Sequence, residues 1–118
     1  MPRDSRVYLE DVLEAAAKIR DYTAGLTLET FRKDPRTIDA VVRNLEIIGE
    51  AIKNVPEQLR SQHPEVTWRR VAGLRDLLIH QYFGIDYEII WDLVCNQLPA
   101  LEGQVRAILE VDGPRGPD

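Results

Sequence analysis

Within eight residues, Arg75-Asp76-Leu77-Leu78-Ile79-His80-Gln81-Tyr82 brings together a permanent cation, a carboxylate, an imidazole and a phenol. The guanidinium keeps its charge at any accessible pH, the imidazole titrates near neutrality, and the phenol can donate, accept or be modified. That set suits a phosphodiester. His80 could pass protons between a 2′-hydroxyl, the bridging phosphate and the leaving 5′-oxygen while Arg75 stabilises charge on the phosphorane, which is metal-independent RNA cleavage. Asp76 and His80 stand four residues apart, so the carboxylate can accept a hydrogen bond from one imidazole nitrogen, fix the tautomer and raise the pKa. His63 and His80 are the only histidines, and neither lies in a recognised ligand spacing, so neither a metal site nor a cofactor is expected.

Helical geometry constrains this set. At 100° per residue Arg75 and Tyr82 point within about 20° of each other, whereas His80 lies about 140° from Arg75. One regular helix cannot aim both Arg75 and His80 at one phosphate. Either the helix distorts, Arg75 reaches around it, or a second molecule completes the site. A two-fold homodimer is the economical answer, because isologous contact places two copies of Arg75 and His80 around one cleft. Blander readings stay open at this point: Arg75-Asp76 as a surface ion pair, His80 as a satisfied histidine at a helix end, and Tyr82-Phe83 as core aromatics.

The elements that must carry the motif read as helix throughout, with no period-2 strand pattern and no Asn-Gly or Asp-Gly turn. The expected fold is all-α, an up-and-down bundle of four main helices with additional short ones. Tyr8, Leu9, Val12, Leu13, Ala16 and Ile19 recur at helical spacing over roughly residues 4 to 24, with Gly25 as the stop. Thr27 to Lys33 reads as a short amphipathic turn, and Asp34-Pro35 as a cap followed by proline at the first helical position. The second long helix is expected to reach about Val55, where Pro56 ends it, and a short helix is expected around Glu57 to Gln62. Thr67 can cap the helix that carries Trp68, Val71, Leu74, Leu78 and the motif, until Gly84 breaks it. Asp86 caps the last long helix, in which Pro99 should produce a kink. The bundle should occupy residues 1–112, leaving 113–118 as a disordered tail.

Composition limits the class. At 118 residues with 44% hydrophobic side chains, the chain can build one real core. No run approaches a membrane span, and Met1-Pro2-Arg3-Asp4-Ser5-Arg6 lacks the apolar segment of a signal peptide, so a cytoplasmic location is expected. The formal charge of -5 is unevenly placed: residues 1–83 hold 13 acids and 13 Lys/Arg, whereas residues 84–118 hold seven acids against Arg106 and Arg115. Arg69, Arg70 and Arg75 near His80 make a small positive patch compatible with the acidic total. Cys95, the only cysteine, reads as a small buried apolar residue. His63 reads as a loop histidine, Trp68 and Trp91 as core residues rather than a base-stacking platform, and Glu46 and Glu50 as a solvated face rather than half a metal site.

The ordered motifs resemble a known family. Arg75-x4-His80-x-Tyr82 is similar to the Arg-x4-6-His motif of HEPN domains (higher eukaryote and prokaryote nucleotide-binding), in the form found in HepT-like toxins. Asp34-Pro35-Arg36-Thr37, Arg43-Asn44-Leu45-Glu46-Ile47-Ile48-Gly49-Glu50-Ala51, His63-Pro64-Glu65, Trp68-Arg69 and Ala72-Gly73-Leu74 follow the same subgroup in order, so the likeness covers nearly the whole chain. It implies a dimeric helical bundle whose Arg75 and His80 line a ribonuclease cleft. It also implies a partner, a minimal nucleotidyltransferase of the MNT type that acts as antitoxin by transferring AMP from ATP to the motif tyrosine, here Tyr82. AMP there would add negative charge and bulk where RNA must sit. The position after the motif arginine is often Asn in that family and is Asp76 here. The alternative is a non-catalytic helical subunit that binds a nucleotidyltransferase, which the acidic C-terminal part and modest basic patch also fit.

Overall fold

In the structure, a computed structural model, the described residues are 4–74, Asp76, Leu78 and 86–111. They are helical, without strands, as the periodicity predicts. The first helix, α1 (Ser5–Thr23), starts where the Asp4 carboxylate accepts the Arg6 amide at 2.9 Å. It stops at Gly25, whose φ of 77° is readily reached only without a Cβ. Its buried stripe is Leu9, Val12, Ala15, Ala16 and Ile19. The expected turn at Thr27 is the helix α2 (Leu28–Arg32), closed by a reciprocal Thr27–Thr30 capping box, and it drives Phe31 fully into the core.

Helix α3 (Pro35–Lys53) begins as the Asp-Pro signal requires. The Asp34 carboxylate accepts both the Thr37 hydroxyl at 2.7 Å and the Thr37 amide at 3.1 Å, and these bonds hold its pKa below the ordinary carboxylate value. Its wide apolar stripe packs along α1, the largest helix pairing in the bundle, and also meets α5. It ends at Lys53 with Asn54 as cap, slightly before the expected Val55. The Asn54 side chain donates to the Glu50 carbonyl at 2.8 Å, satisfying an acceptor that the ending helix would otherwise leave open.

Pro56 opens α4 (Glu57–Gln62), and α5 (Trp68–Ala72) follows a short connection. Thr67 stands at the N-cap of α5, but its side chain makes no capping bond. The indole of buried Trp68 takes over the anchoring by donating to the His63 carbonyl at 2.8 Å.

Asp86 caps α6 (Tyr87–Asp92) by accepting the Glu88 and Ile89 amides. The proline break expected in the last helix takes the form of a π turn, Leu93–Gln97, before α7 (Leu98–Val111). Pro99 has no N–H for the Cys95 carbonyl, and its ring crowds that group. Widening the turn by one residue, with the Leu98 amide bonded to the Leu93 carbonyl, relieves the conflict. The wide turn leaves Cys95 exposed, correcting the expectation that it is a buried apolar residue. Ile89, an apolar residue of α6, is half exposed as well.

The core runs from α1 and α3 through Val71, Leu74 and Leu78 to Leu93, Leu98, Leu101, Val105 and Ile108. Both tryptophans belong to it or pack on it, Trp91 meeting the Phe31 ring at a centroid distance of 5.0 Å. One charged group lies inside this frame. Glu102 of α7 has only 4% of its side chain exposed and pairs with Arg20 of α1, with Arg106 at 3.7 Å. A carboxylate in that setting is stable only while its charge is compensated. Arg20→Ala is therefore expected to lower unfolding free energy by about 1 to 3 kcal/mol, the worth of a hydrogen bond to a buried charge. Urea unfolding checks this, and an unchanged midpoint would show that Arg106 alone suffices.

Candidate functional site

Three of the four predicted site residues, Arg75, His80 and Tyr82, lie outside the described residues, so their separation and the Asp76–His80 pairing do too. The frame that precedes and threads through the motif is described. Val71, Leu74 and Leu78, spaced as one helical face, are all buried, while Asp76 between them is exposed. Asp76 borders a small cavity of about 220 Å³ shared with Glu50 and Lys53 of α3 and with Ala72 and Gly73. The carboxylate thus sits at the surface with a cation and a second acid in its surroundings.

Two larger concavities flank α5. On one side, α4 and the start of α5 bound an open cleft of about 760 Å³ lined by Arg60, Arg69 and Arg70, the hydroxyl residues Ser61 and Thr67, and one acid, Glu57. On the other, a cavity of about 240 Å³ has apolar walls from Leu45, Leu74, Leu93 and Leu101 and a polar edge that includes Gln97 and Gln104. Thr67 and Arg70 border both. The Arg70 charge also reaches the π turn. Asp92 accepts hydrogen bonds from Asn96 at 2.7 Å and Gln97 at 2.9 Å, and these, with the Arg70 guanidinium as a smaller cause, hold its carboxyl below the ordinary value.

The connection that leads into α5 is tied down from two sides. Besides the Trp68 indole bond to the His63 carbonyl, Gln104 of α7 donates to the Glu65 carbonyl at 3.1 Å. His63 sits at the end of α4 with its Nδ1 at 3.5 Å from the Glu65 carboxylate, so the expected loop histidine helps to shape this connection. Among the described residues no group of three His, Cys, Asp or Glu side chains could hold a metal ion. Among those residues, too, no helix is long and apolar enough to cross a membrane. Cys95, though at the surface, is partly desolvated, and this, with the Asp92 carboxylate nearby, pushes its thiol above the ordinary pKa, which disfavours the nucleophilic thiolate.

Sequence reasoning missed buried Glu102 and buried Asn44. Asn44 lies on the inner face of α3, where its amide donates to the Ala40 carbonyl at 2.9 Å. Its place in the periodic stripe was the available signal, since it falls between Val41 and Leu45 on the helix's buried side.

Comparison with known proteins adds to this geometry. The family described as Ribonuclease HepT-like matches residues 12–108. A protein of Methanocaldococcus jannaschii named as a candidate RNase is 52% identical over 100 residues, covering 84% of this chain and 83% of that one. Another, from Caldanaerobacter subterraneus subsp. tengcongensis and named in the same way, is 47% identical over 105 residues, 89% of this chain and 94% of the relative. A "Probable ribonuclease HepT" of Thermococcus cleftensis is 45% identical over 104 residues, 88% of this chain and 94% of its own. No solved structure matches.

The anchoring bond is open to test. Trp68→Phe keeps an aromatic ring but deletes the donor to His63 and part of the buried indole, so it should cost at least about 1 kcal/mol in urea unfolding. A variant as stable as the parent would show that packing alone holds α5.

Proposed function

Because this chain belongs to the HepT-like ribonuclease family, we propose that it is the toxin of a HEPN and minimal-nucleotidyltransferase pair, an endoribonuclease whose site is composed by two protomers. The observation that carries this reading is the occurrence of Arg75-x4-His80-x-Tyr82 inside a chain matched to that family over residues 12–108. The names of the three relatives and of the family speak of ribonuclease activity, and the motif supplies the groups such a reaction needs.

In the proposed step, His80 removes the 2′-hydroxyl proton as that oxygen bonds to phosphorus. The bond from phosphorus to the 5′-oxygen then breaks, and His80 returns the proton to the leaving oxygen. Products are a 2′,3′-cyclic phosphate and a 5′-hydroxyl. Arg75 of the opposite protomer stabilises the phosphorane charge, because one regular helix would separate Arg75 and His80 by about 140°. No metal takes part. Asp76 orients His80, and its negative charge near the scissile phosphate lowers the rate relative to an amide at that position. The bundle spans residues 1–112 and the tail after it takes no part, and the pair works in the cytoplasm.

On a regular helix Tyr82 would share the face of Arg75, and it is the residue on which the MNT-type antitoxin places AMP. The added phosphate charge and adenosine bulk then exclude RNA. The reading rests on the sequence motif and on family membership together.

Expression of the chain without its partner should arrest growth, and the purified protein should cleave RNA in the presence of EDTA. His80→Ala should lower that cleavage by at least about a hundredfold, the usual contribution of general acid–base catalysis. Intact RNA with the parent protein and equal harmlessness of both proteins in cells would end the nuclease assignment. For the switch, intact-mass measurement after incubation with the nucleotidyltransferase and ATP should show added AMP that Tyr82→Phe abolishes. Addition that persists in Tyr82→Phe would place the modification elsewhere.

A further inference from the structure

We propose that the arginine cleft between α4 and α5 is the track that holds the phosphodiester backbone of the RNA strand beside the scissile bond, an inference that rests on the ribonuclease reading above. The cleft presents Arg60, Arg69 and Arg70 and the hydroxyl residues Ser61 and Thr67 against the single acid Glu57. In a chain whose formal charge is -5, that is a local excess of positive charge.

Several other cations of the bundle are engaged in local ion pairs. On α1 and α2, Arg6 pairs with Glu10, Lys18 with Glu14 and Lys33 with Glu29, each four residues apart. Among the described residues Arg60, Arg69 and Arg70 enter no ion pair, and the Arg60 Nε is buried without a hydrogen-bond partner. Arg69 and Arg70 are exposed. A planar guanidinium fork matches two phosphate oxygens, and such contacts position a strand without reading its bases.

The lining also speaks against a protein occupant. Its two large apolar residues, Val66 and Trp68, are both buried, so the cleft offers no aromatic or aliphatic anchor of the kind that dominates protein interfaces. Arg70 precedes Arg75 by only five residues, and Arg69 and Arg70 stand on the helix that leads into the motif. A backbone bound in the cleft is therefore delivered toward the motif.

The test measures binding of the full-length His80→Ala protein, which holds RNA without cutting it, to a 5′-labelled single-stranded RNA oligonucleotide across a salt series. Adding Arg69→Gln and Arg70→Gln together should weaken binding by about tenfold or more. It should also reduce the slope of log affinity against log salt by about 1.4, since each phosphate contact on a single strand contributes about 0.7. The corresponding Arg69→Lys and Arg70→Lys pair keeps the charge and should restore the slope. RNA bound by His80→Ala with affinity and slope unchanged in the glutamine variant overturns the cleft while leaving the ribonuclease reading intact. No RNA binding by His80→Ala, with no cleavage by the parent protein, removes that reading and the track with it. Loss of binding to the purified nucleotidyltransferase alone, with RNA affinity unchanged, assigns the cleft to a protein and overturns the proposal.

Discussion

The region before the motif depends on how a five-residue helix is held. Helix α5 is far too short to stand by itself, since isolated helices below about 12 residues are marginal in water. Its position comes from the Trp68 indole bonded to the His63 carbonyl, from burial of Trp68 and Val71, and from the Gln104 bond that ties the preceding connection to α7. Everything on that stretch inherits its placement from these contacts: the arginines of the cleft, the Gly73 cap and Leu74. The long α1–α3 pairing supplies the rigid surface against which Val71, Leu74 and Leu78 pack.

Electrostatics then separates the surface into regions with different tasks. The C-terminal part holds the net negative charge, yet one of its acids, Glu102, is turned inward and neutralised by Arg20. Exposed Asp92 is kept ionised by Asn96 and Gln97 and feels the Arg70 charge. Arg60, Arg69 and Arg70 form no salt bridge among the described residues. An acidic protein can therefore carry a confined basic cleft beside its motif, because a local arrangement of charges sets the field in a groove more strongly than the distant total.

Helix starts with an aspartate cap were the most legible part of the sequence, because they rest on a short-range signal that tertiary context did not override. Asp34-Pro35 and Asp86 cap as their chemistry requires, and Gly25 takes the positive φ that ends α1, whereas the stretch from Thr27, which reads only as a turn, is a capped helix. Features that depend on three-dimensional context were less legible. Proline at position 99 signals a break but not its form, and the π turn that results turns Cys95 outward. Thr67 occupies a cap position without capping, because the neighbouring indole provides the anchor. Glu102 is charged and carries no local mark of burial, since its partner Arg20 lies 82 residues away in the chain. As for the candidate site, its family was readable from the ordered motifs, whereas Arg75, His80 and Tyr82 lie outside the described residues. The arginine cleft was visible only as a run, Arg69-Arg70, until the fold set Arg60 beside it.

The central claim is that the reaction centre draws Arg75 from one protomer and His80 from the other. Mixed dimers test it most directly: differently tagged Arg75→Ala and His80→Ala chains are co-expressed, the doubly tagged species is isolated, and its RNA cleavage is compared with that of each parent homodimer. A shared site predicts recovered cleavage, because the mixed dimer regains one Arg75 and one His80 facing each other. A mixed species as inactive as both parents, in a preparation where the wild-type dimer cleaves RNA, would contradict the account.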